Sequence, residues 1–140
     1  MTGKSTSVIN KLPYSIDHTE VVNILSDWDN RTNYLDVFKE YSQLNDVQIA
    51  YMLDLDVKTF RTYKSEKKPL SERLKEQTIS LLSLFKHGMM VFGTSDNFQN
   101  WLKSKNFIFD GAAPEKNLQT ISGIKFIDDR LTAMEHGDNI

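Results

Sequence analysis

The chain has 140 residues, of which 39% are hydrophobic and 26% are charged. This length allows one domain, or two small ones that share a core, and the 8 Phe, 5 Tyr and 2 Trp can anchor it. Because there is no cysteine, disulfide bonds, thiolate nucleophiles and cysteine-ligated zinc are excluded. No apolar run is long enough to cross a bilayer, so we expect a soluble, cytoplasmic protein with no metal, no cofactor and no membrane partner.

The net charge of −2 conceals a basic stretch. Residues 57–75 hold seven Lys or Arg and two Glu, so their local net charge is +5. An excess of this size on a short segment is typical of a surface that meets nucleic acid phosphates.

Helical spacing of the apolar residues predicts an all-α chain of about eight helices. The first dozen residues are small and polar, and we expect them to be disordered or lightly docked. Two helices follow within residues 19–44, because poor helix formers at 27–33 interrupt the apolar spacing. We expect this N-terminal pair to pack on the segment that follows it, with a role at an interface as the alternative. The residues expected to make that packing are Leu25, Trp28, Leu35 and Phe38.

Two short helices, over residues 47–53 and 57–66, then predict a helix-turn-helix. Helices that cross at a steep angle need a small residue at the crossing, and Ala50 stands there. Asp54 stands at the tight turn, where a positive φ is required and Gly is more common. The apolar residues expected to seal the corner are Ile49, Leu53, Leu55, Phe60 and Tyr63.

The second of these helices is predicted to be the recognition helix. Its outward side chains can donate hydrogen bonds to phosphates or base edges, and the lysines after it are expected to meet phosphates. The alternative is that any short helical hairpin needs a polar outer face. The predicted DNA-binding residues are Lys58, Thr59, Arg61, Thr62, Lys64, Lys67 and Lys68.

A long helix is predicted next, with Ser71 as its N-cap and Phe92 near its end. Gly88 lies inside it and costs it about 1 kcal/mol relative to Ala. A loop over residues 106–113 and a short helix from Pro114 precede the last helix, over 123–135. The last helix has one apolar face, and Gly137 can cap its end.

No catalytic signature occurs in the C-terminal region, which lacks a phosphate-binding glycine loop and a nucleophile elbow, so we predict that the protein is not an enzyme. Asp128 and Asp129 point about 100° apart on a helix, which favours a solvated face over a metal site. We expect His87 to be a buried or half-buried packing residue, and His136 to be favoured by the helix dipole.

The last fifty residues carry a series of landmarks in a fixed order. They are Val91-Phe-Gly93, Phe98-x-x-Trp-Leu102, Asn106, Gly111-x-x-Pro114, Leu118-x-Thr120, Gly123 and Leu131-x-x-Met-Glu-His-Gly137. This series resembles the toxin-binding domain of the Xre/MbcA/ParS antitoxins, the partners of RES-domain toxins. With the preceding Xre-like helix-turn-helix and the Leu70-Ser71 step, the resemblance covers about residues 44–137. Asp110, residues 115–117 and Gly88 depart from the usual pattern of the family.

The resemblance implies an antitoxin of a type II system. It would neutralise an NAD-consuming RES toxin by covering the active site, repress its own operon, and form a homodimer or a hetero-oligomer with the toxin. The alternative is a stand-alone helix-turn-helix transcriptional regulator whose C-terminal domain mediates dimerisation. The implied toxin-binding residues are Phe107, Phe109, Asp110, Gly111, Glu135, His136, Gly137, Asp138 and Ile140.

We therefore divide the chain into three regions. Residues 1–44 are the N-terminal helical extension, residues 45–92 are the helix-turn-helix region with its linking helix, and residues 93–140 are the toxin-binding domain. Phe98 and Trp101 are candidate aromatic anchors for the toxin, although we expect Trp101 and Phe92 to belong to the core.

Overall fold

The structure, a computed structural model, describes residues 3–66, 68–106 and 110–137. These residues form eight α-helices and a short 3-10 helix at Pro114–Asn117, without a strand among them, which confirms the predicted all-α class. The α-helices are α1 (Gly3–Asn10), α2 (His18–Ser26), α3 (Tyr34–Ser42), α4 (Asp46–Met52), α5 (Val57–Glu66), α6 (Glu72–Phe92), α7 (Ser95–Lys103) and α8 (Ile121–Glu135).

The long helix α6 is the centre of the molecule. It contacts α1, α2, α3, α7 and α8, and it begins at the predicted N-cap, where Ser71 Oγ accepts a hydrogen bond from the Leu74 backbone at 3.2 Å. Its middle is buried on all sides, as expected of a helix that other helices surround. A continuous hydrophobic cluster extends from Ile9 to Leu131 and includes residues of every region of the chain.

The contact between α6 and α7 explains why Gly88 is tolerated inside a helix. A Cβ at Gly88 would overlap the ring of Phe98, so the missing side chain makes room for that ring. Phe98 is fully buried and lies edge-on to Phe85, with ring centroids 5.0 Å apart. The packing of aromatic rings therefore offsets the low helix propensity of Gly88.

The first residues are docked, and the expectation of disorder or light docking was wrong. They form α1, and Ile9 and Leu12 are both buried. Lys86 Nζ donates to the carbonyls of Ile9 and Leu12 at 3.1 and 2.8 Å, and Ser83 Oγ donates to the Pro13 carbonyl at 2.6 Å. Because these partners lie seventy or more residues apart along the chain, local composition gives no sign of them.

The N-terminal pair is made of α2 and α3, and both helices pack mainly on α6 rather than on the helix-turn-helix. Leu35 and Phe38 are buried as predicted, whereas Leu25 and Trp28 are only half-buried. The link to the helix-turn-helix is polar, since Asn33 Nδ2 donates to the Lys64 carbonyl at 3.2 Å.

The C-terminal end of α4 is joined to the rest of the molecule by side chains that satisfy its free carbonyl groups. Gln119 Nε2 donates to the Tyr51 carbonyl at 2.9 Å, and Gln77 Nε2 donates to the Met52 carbonyl at 2.8 Å. The helix-turn-helix is thus fixed directly to α6 and to the segment before α8.

The last helix packs on α6 through the predicted face, with Ile124, Ile127 and Leu131 fully buried. Its start requires Gly123, because a Cβ there would overlap the Asn117 carbonyl oxygen. Among the described residues, no helix combines the length and the apolar character needed to cross a membrane.

Candidate functional site

The helix-turn-helix geometry agrees with its sequence prediction. Ala50 is buried at the contact of α4 with α5, and Asp54 adopts the predicted positive φ, at 55°. Asn45 and Gln48 form a capping box at the start of α4. Of the corner residues, Ile49, Leu53 and Phe60 are fully buried, and Leu55 and Tyr63 are half-buried.

The predicted DNA-binding residues differ in how far they reach into solvent. Lys58, Arg61 and Lys68 are exposed, whereas Thr59, Thr62 and Lys64 are half-buried. Lys67 lies outside the described residues. Asp56 Oδ1 accepts a hydrogen bond from the Thr59 backbone at 2.7 Å and so caps the start of α5. Asp54 and Asp56 are exposed and come directly before α5 in the chain. Their negative charges therefore lie near the start of the predicted recognition helix, where they reduce the positive charge that its lysines would offer to DNA.

Asp46, in the first turn of α4, forms ion pairs with two of the predicted DNA-binding residues. Its carboxylate lies 3.1 Å from Arg61 Nε and 3.5 Å from Lys64 Nζ. Lys39 Nζ also binds it, at 2.8 Å. The hydrogen bond from Lys39, with further contributions from Arg61 and the charge of Lys64, lowers the pKa of Asp46 to about 2. This ion-pair cluster was missed because residue 46 lies outside the basic stretch.

The loop before Pro114 has an unusual backbone conformation at two of its predicted toxin-binding residues. Asp110 and Gly111 are exposed and have φ values of 55° and 78°. The Gly111 backbone donates to the Asn106 carbonyl at 3.0 Å, which closes the turn. Asp replaces the more usual Gly of the family here, and it tolerates this conformation better than most residues. Phe107 and Phe109 lie outside the described residues.

The end of α8 is exposed, and Gly137 ends the helix as predicted. Glu135, His136 and Gly137 are exposed, and Gly137 has a φ of 90°, so the helix stops there. Asp138 and Ile140 lie outside the described residues.

The aromatic side chains of α7 belong to the core rather than to a docking surface. Phe98 is fully buried and Trp101 is buried, so the suggestion that Phe98 anchors a toxin was wrong, whereas the expectation for Trp101 is confirmed. Phe92 is only half-buried. The exposed apolar residues of this region are instead Met90 and Phe126, about half of whose surface is accessible (47% and 48%). Phe126 could have been identified from the sequence, since it lies off the apolar face of α8.

Asp128 is fully buried, which contradicts the expectation of a solvated face. Its Oδ2 accepts a hydrogen bond from the Ile16 backbone at 3.1 Å, and its Oδ1 lies 2.7 Å from His87 Nδ1. The error has a geometric cause, because Asp128 is four residues after Ile124 and so shares the buried face. Asp129 alone fits the expectation, since it is exposed and pairs with Lys125 at 2.8 Å.

His87 is buried, as expected, and it is more than a packing residue. Its Nε2 contacts a carboxylate oxygen of Glu135, so the imidazole lies between two carboxylates. Burial acts to lower the pKa of His87, but the hydrogen bonds and charges of Asp128 and Glu135 outweigh it and raise the pKa above its ordinary value. Within the described part of the chain, no group of three or more acidic or histidine side chains is arranged to hold a metal ion.

The family model of the antitoxin Xre/MbcA/ParS C-terminal toxin-binding domain matches residues 87–137. The match begins at His87, in the last turns of α6, and ends at Gly137, after α8. It therefore confirms the family expected from the ordered landmarks. No curated protein is significantly similar to the chain.

Proposed function

Residues 87–137 belong to the C-terminal toxin-binding domains of the Xre/MbcA/ParS antitoxins, and from this premise we propose that the protein is the antitoxin of a type II system whose toxin is an NAD-consuming RES enzyme. It neutralises this toxin by covering the active site with its C-terminal end. It also represses its own operon through α4 and α5. The family match carries the proposal, because it assigns toxin binding to a defined part of this chain.

The end of α8 supports the role of the C-terminal end. Glu135, His136 and Gly137 are exposed, and the left-handed Gly137 ends the helix. Asp138 follows directly in the sequence. A pocket that binds a dinucleotide needs cationic groups for the phosphates, and a carboxylate can pair with such groups. Glu135 contributes less directly, since its carboxylate is already held by His87.

The helix-turn-helix supports the repressor role. Its corner is sealed by buried apolar residues, and Lys58 and Lys68 extend their charges into solvent. Arg61 is paired with Asp46, but its side chain is 60% exposed, so a phosphate or base edge can replace that partner. Operator binding then depends on few cations, so its salt dependence is shallow, with a slope of about one unit for each phosphate contact.

The toxin-binding part is tested by deleting residues 136–140 and measuring inhibition of NAD consumption by a cognate RES toxin, which the proposal expects to be encoded beside this chain. We expect the fold and DNA binding to remain and the inhibition constant to rise at least about tenfold, the loss of one charge-assisted contact. Lys103→Ala, an exposed change at the end of α7, is the matched control. Full potency of the truncated protein would contradict the role of the end, and failure of the full chain to inhibit would refute the antitoxin.

The DNA-binding part is tested on operator fragments with two variants. If α5 enters the major groove, Arg61→Ala is expected to reduce the free energy of operator binding by about 1–3 kcal/mol and to relax the sequence preference at one base pair. Lys68→Ala is expected to weaken binding to all DNA sequences alike. It should also reduce the slope of log affinity against log salt concentration by about one unit. Arg31→Ala, a fully solvated change in the loop before α3, is the control. Unchanged binding in both variants would mean that the helix-turn-helix is only a scaffold.

A further inference from the structure

The buried network at Asp128 joins three parts of the chain that are far apart in sequence. The Ile16 backbone and the Ser15 hydroxyl donate to Asp128 Oδ2 at 3.1 and 3.3 Å. His87 Nδ1, on α6, lies 2.7 Å from Asp128 Oδ1. His87 Nε2 contacts the carboxylate of Glu135, the last residue of α8. The N-terminal segment, α6 and the end of α8 are therefore joined through Asp128 and His87.

The imidazole can donate to both carboxylates only when both ring nitrogens carry a proton. A neutral ring has one N–H, and its second nitrogen would then turn a lone pair towards a carboxylate oxygen. The Asp128 side chain is fully buried, whereas 36% of the Glu135 side chain is exposed. When the ring loses a proton, the contact with Glu135 is the one that opens, because water can solvate Glu135 but cannot reach Asp128.

We propose that His87 is a positioning residue for toxin binding: as an imidazolium it ties the last turn of α8 to Asp128 and so fixes where the chain leaves the helix at Gly137. The N-terminal segment belongs to the same device, because Ile16 and Ser15 occupy the other oxygen of Asp128. This assigns a role to the N-terminal extension, which anchors the carboxylate to which the last turn is tied. The consequence for toxin affinity rests on the proposed function, whereas the consequence for α8 does not.

Other charged groups near this network already have partners or lie at the surface. Lys86 Nζ is bound by the Ile9 and Leu12 carbonyls and lies 4.4 Å from the centre of the Tyr14 ring. On α7, the side chain packed against this part of α6 is the apolar Phe98. Within three positions of Ile16, His87, Asp128 and Glu135 along the chain, the other titratable and charged residues that the structure describes are Tyr14, Asp17, His18, Lys86, Lys125, Asp129, Arg130 and His136.

The expected pH dependence follows from the direction of the pKa shift. Because the pKa of His87 is raised in the folded protein, its contribution is complete below the ordinary value of about 6.5. The contribution is lost as the pH rises through the higher value of the folded state. The end of α8 should therefore loosen as the pH rises above the ordinary value of about 6.5 and the ring loses its proton.

The experiment measures amide hydrogen exchange at residues 131–137 between pH 5.5 and 8.5, as protection factors that remove the intrinsic effect of pH. The full chain carries His18→Asn and His136→Asn, so that His87 is the only histidine left. We expect protection to fall by about tenfold as the pH rises, the loss of one charge-assisted hydrogen bond. Protection that does not change with pH would overturn the proposal.

Glu135→Gln is the decisive variant, because it keeps the size of the side chain and can pair with either form of the ring. Its carbonyl accepts from an N–H, and its amide donates to a lone pair. We expect its protection to be independent of pH, and the same pH profile as the parent would overturn the proposal. His87→Gln, which cannot bridge the two carboxylates as an imidazolium does, should likewise give a profile without the transition.

Toxin affinity, measured by calorimetry over the same pH range in chains that keep His18 and His136, is the second readout. The toxin affinity of the parent should fall by about tenfold towards pH 8.5, and the affinity of Glu135→Gln should not change with pH. If exchange responds to pH but affinity does not, the positioning role is refuted. If no variant binds the toxin at any pH, the proposed function fails, and hydrogen exchange still decides whether His87 holds the end of α8.

Discussion

Asp46 in the helix-turn-helix and Asp128 in the toxin-binding domain both gather several hydrogen-bond donors, but their surroundings differ. Asp46 is half-buried and binds three cationic side chains, Arg61, Lys39 and Lys64, which are 60%, 40% and 21% exposed. Asp128 is fully buried and binds a backbone N–H, a hydroxyl and an imidazole. The first carboxylate organises a surface, and the second joins segments of the core.

This difference decides whether a charged side chain can leave its partner for another charged group. Exposed ion pairs are worth about 0–1 kcal/mol each, so a DNA phosphate can compete with Asp46 for Arg61. A buried carboxylate has no such freedom, because its partners lose their hydrogen bonds when it is removed. The two regions therefore use charge differently: around α4 and α5 the exposed Arg61 charge can be exchanged, and in residues 87–137 a buried carboxylate holds segments of the core together.

Replacing Asp128 should produce the largest effect on stability. Asp128→Ala leaves the Ile16 N–H and His87 without their acceptor in the core, and we expect the free energy of unfolding to fall by about 3–5 kcal/mol. Asp129→Ala is the matched control, since that neighbouring carboxylate is 61% exposed and its pair with Lys125 is worth about 0.5 kcal/mol. Urea unfolding followed by circular dichroism measures both, and equal losses would show that burial does not make Asp128 more important to stability than an exposed carboxylate.

The features that the sequence predicts correctly are those that depend on neighbours in the chain. Helix α5 has the predicted bounds, Ser71 caps α6, and Asp54 has a positive φ, because spacing, capping and turn chemistry act over a few residues. The ordered landmarks likewise identified the family, which the match over residues 87–137 confirms.

The features that were missed depend on partners that are distant in the chain. The carboxylate of Asp128 meets a backbone group 112 residues away and an imidazole 41 residues away. Asp46 lies fifteen residues before Arg61, outside the basic stretch that suggested DNA binding. A net charge counted over a window cannot reveal that a carboxylate from another helix neutralises it. Local periodicity likewise cannot show which polar residue on an apolar face finds partners in the core.

The smallest effect we predict concerns acid, and it acts in the opposite direction from that of His87. Because the pKa of Asp46 is lowered from 3.8 to about 2 in the folded protein, its contribution is complete above 3.8 and is lost as the pH falls towards 2. Two of the partners, Arg61 and Lys39, are 60% and 40% exposed, so solvent screening limits this contribution to about 1 kcal/mol. Asp46→Asn should remove that step from the dependence of the unfolding free energy on pH between 5 and 2. Asp110→Asn, a change at an exposed carboxylate whose backbone conformation Asn also accepts, should leave the step in place. An unchanged acid limb in Asp46→Asn would mean that the surface cluster contributes nothing to stability, and that Arg61 and Lys64 are held near Asp46 without a free-energy cost to their release.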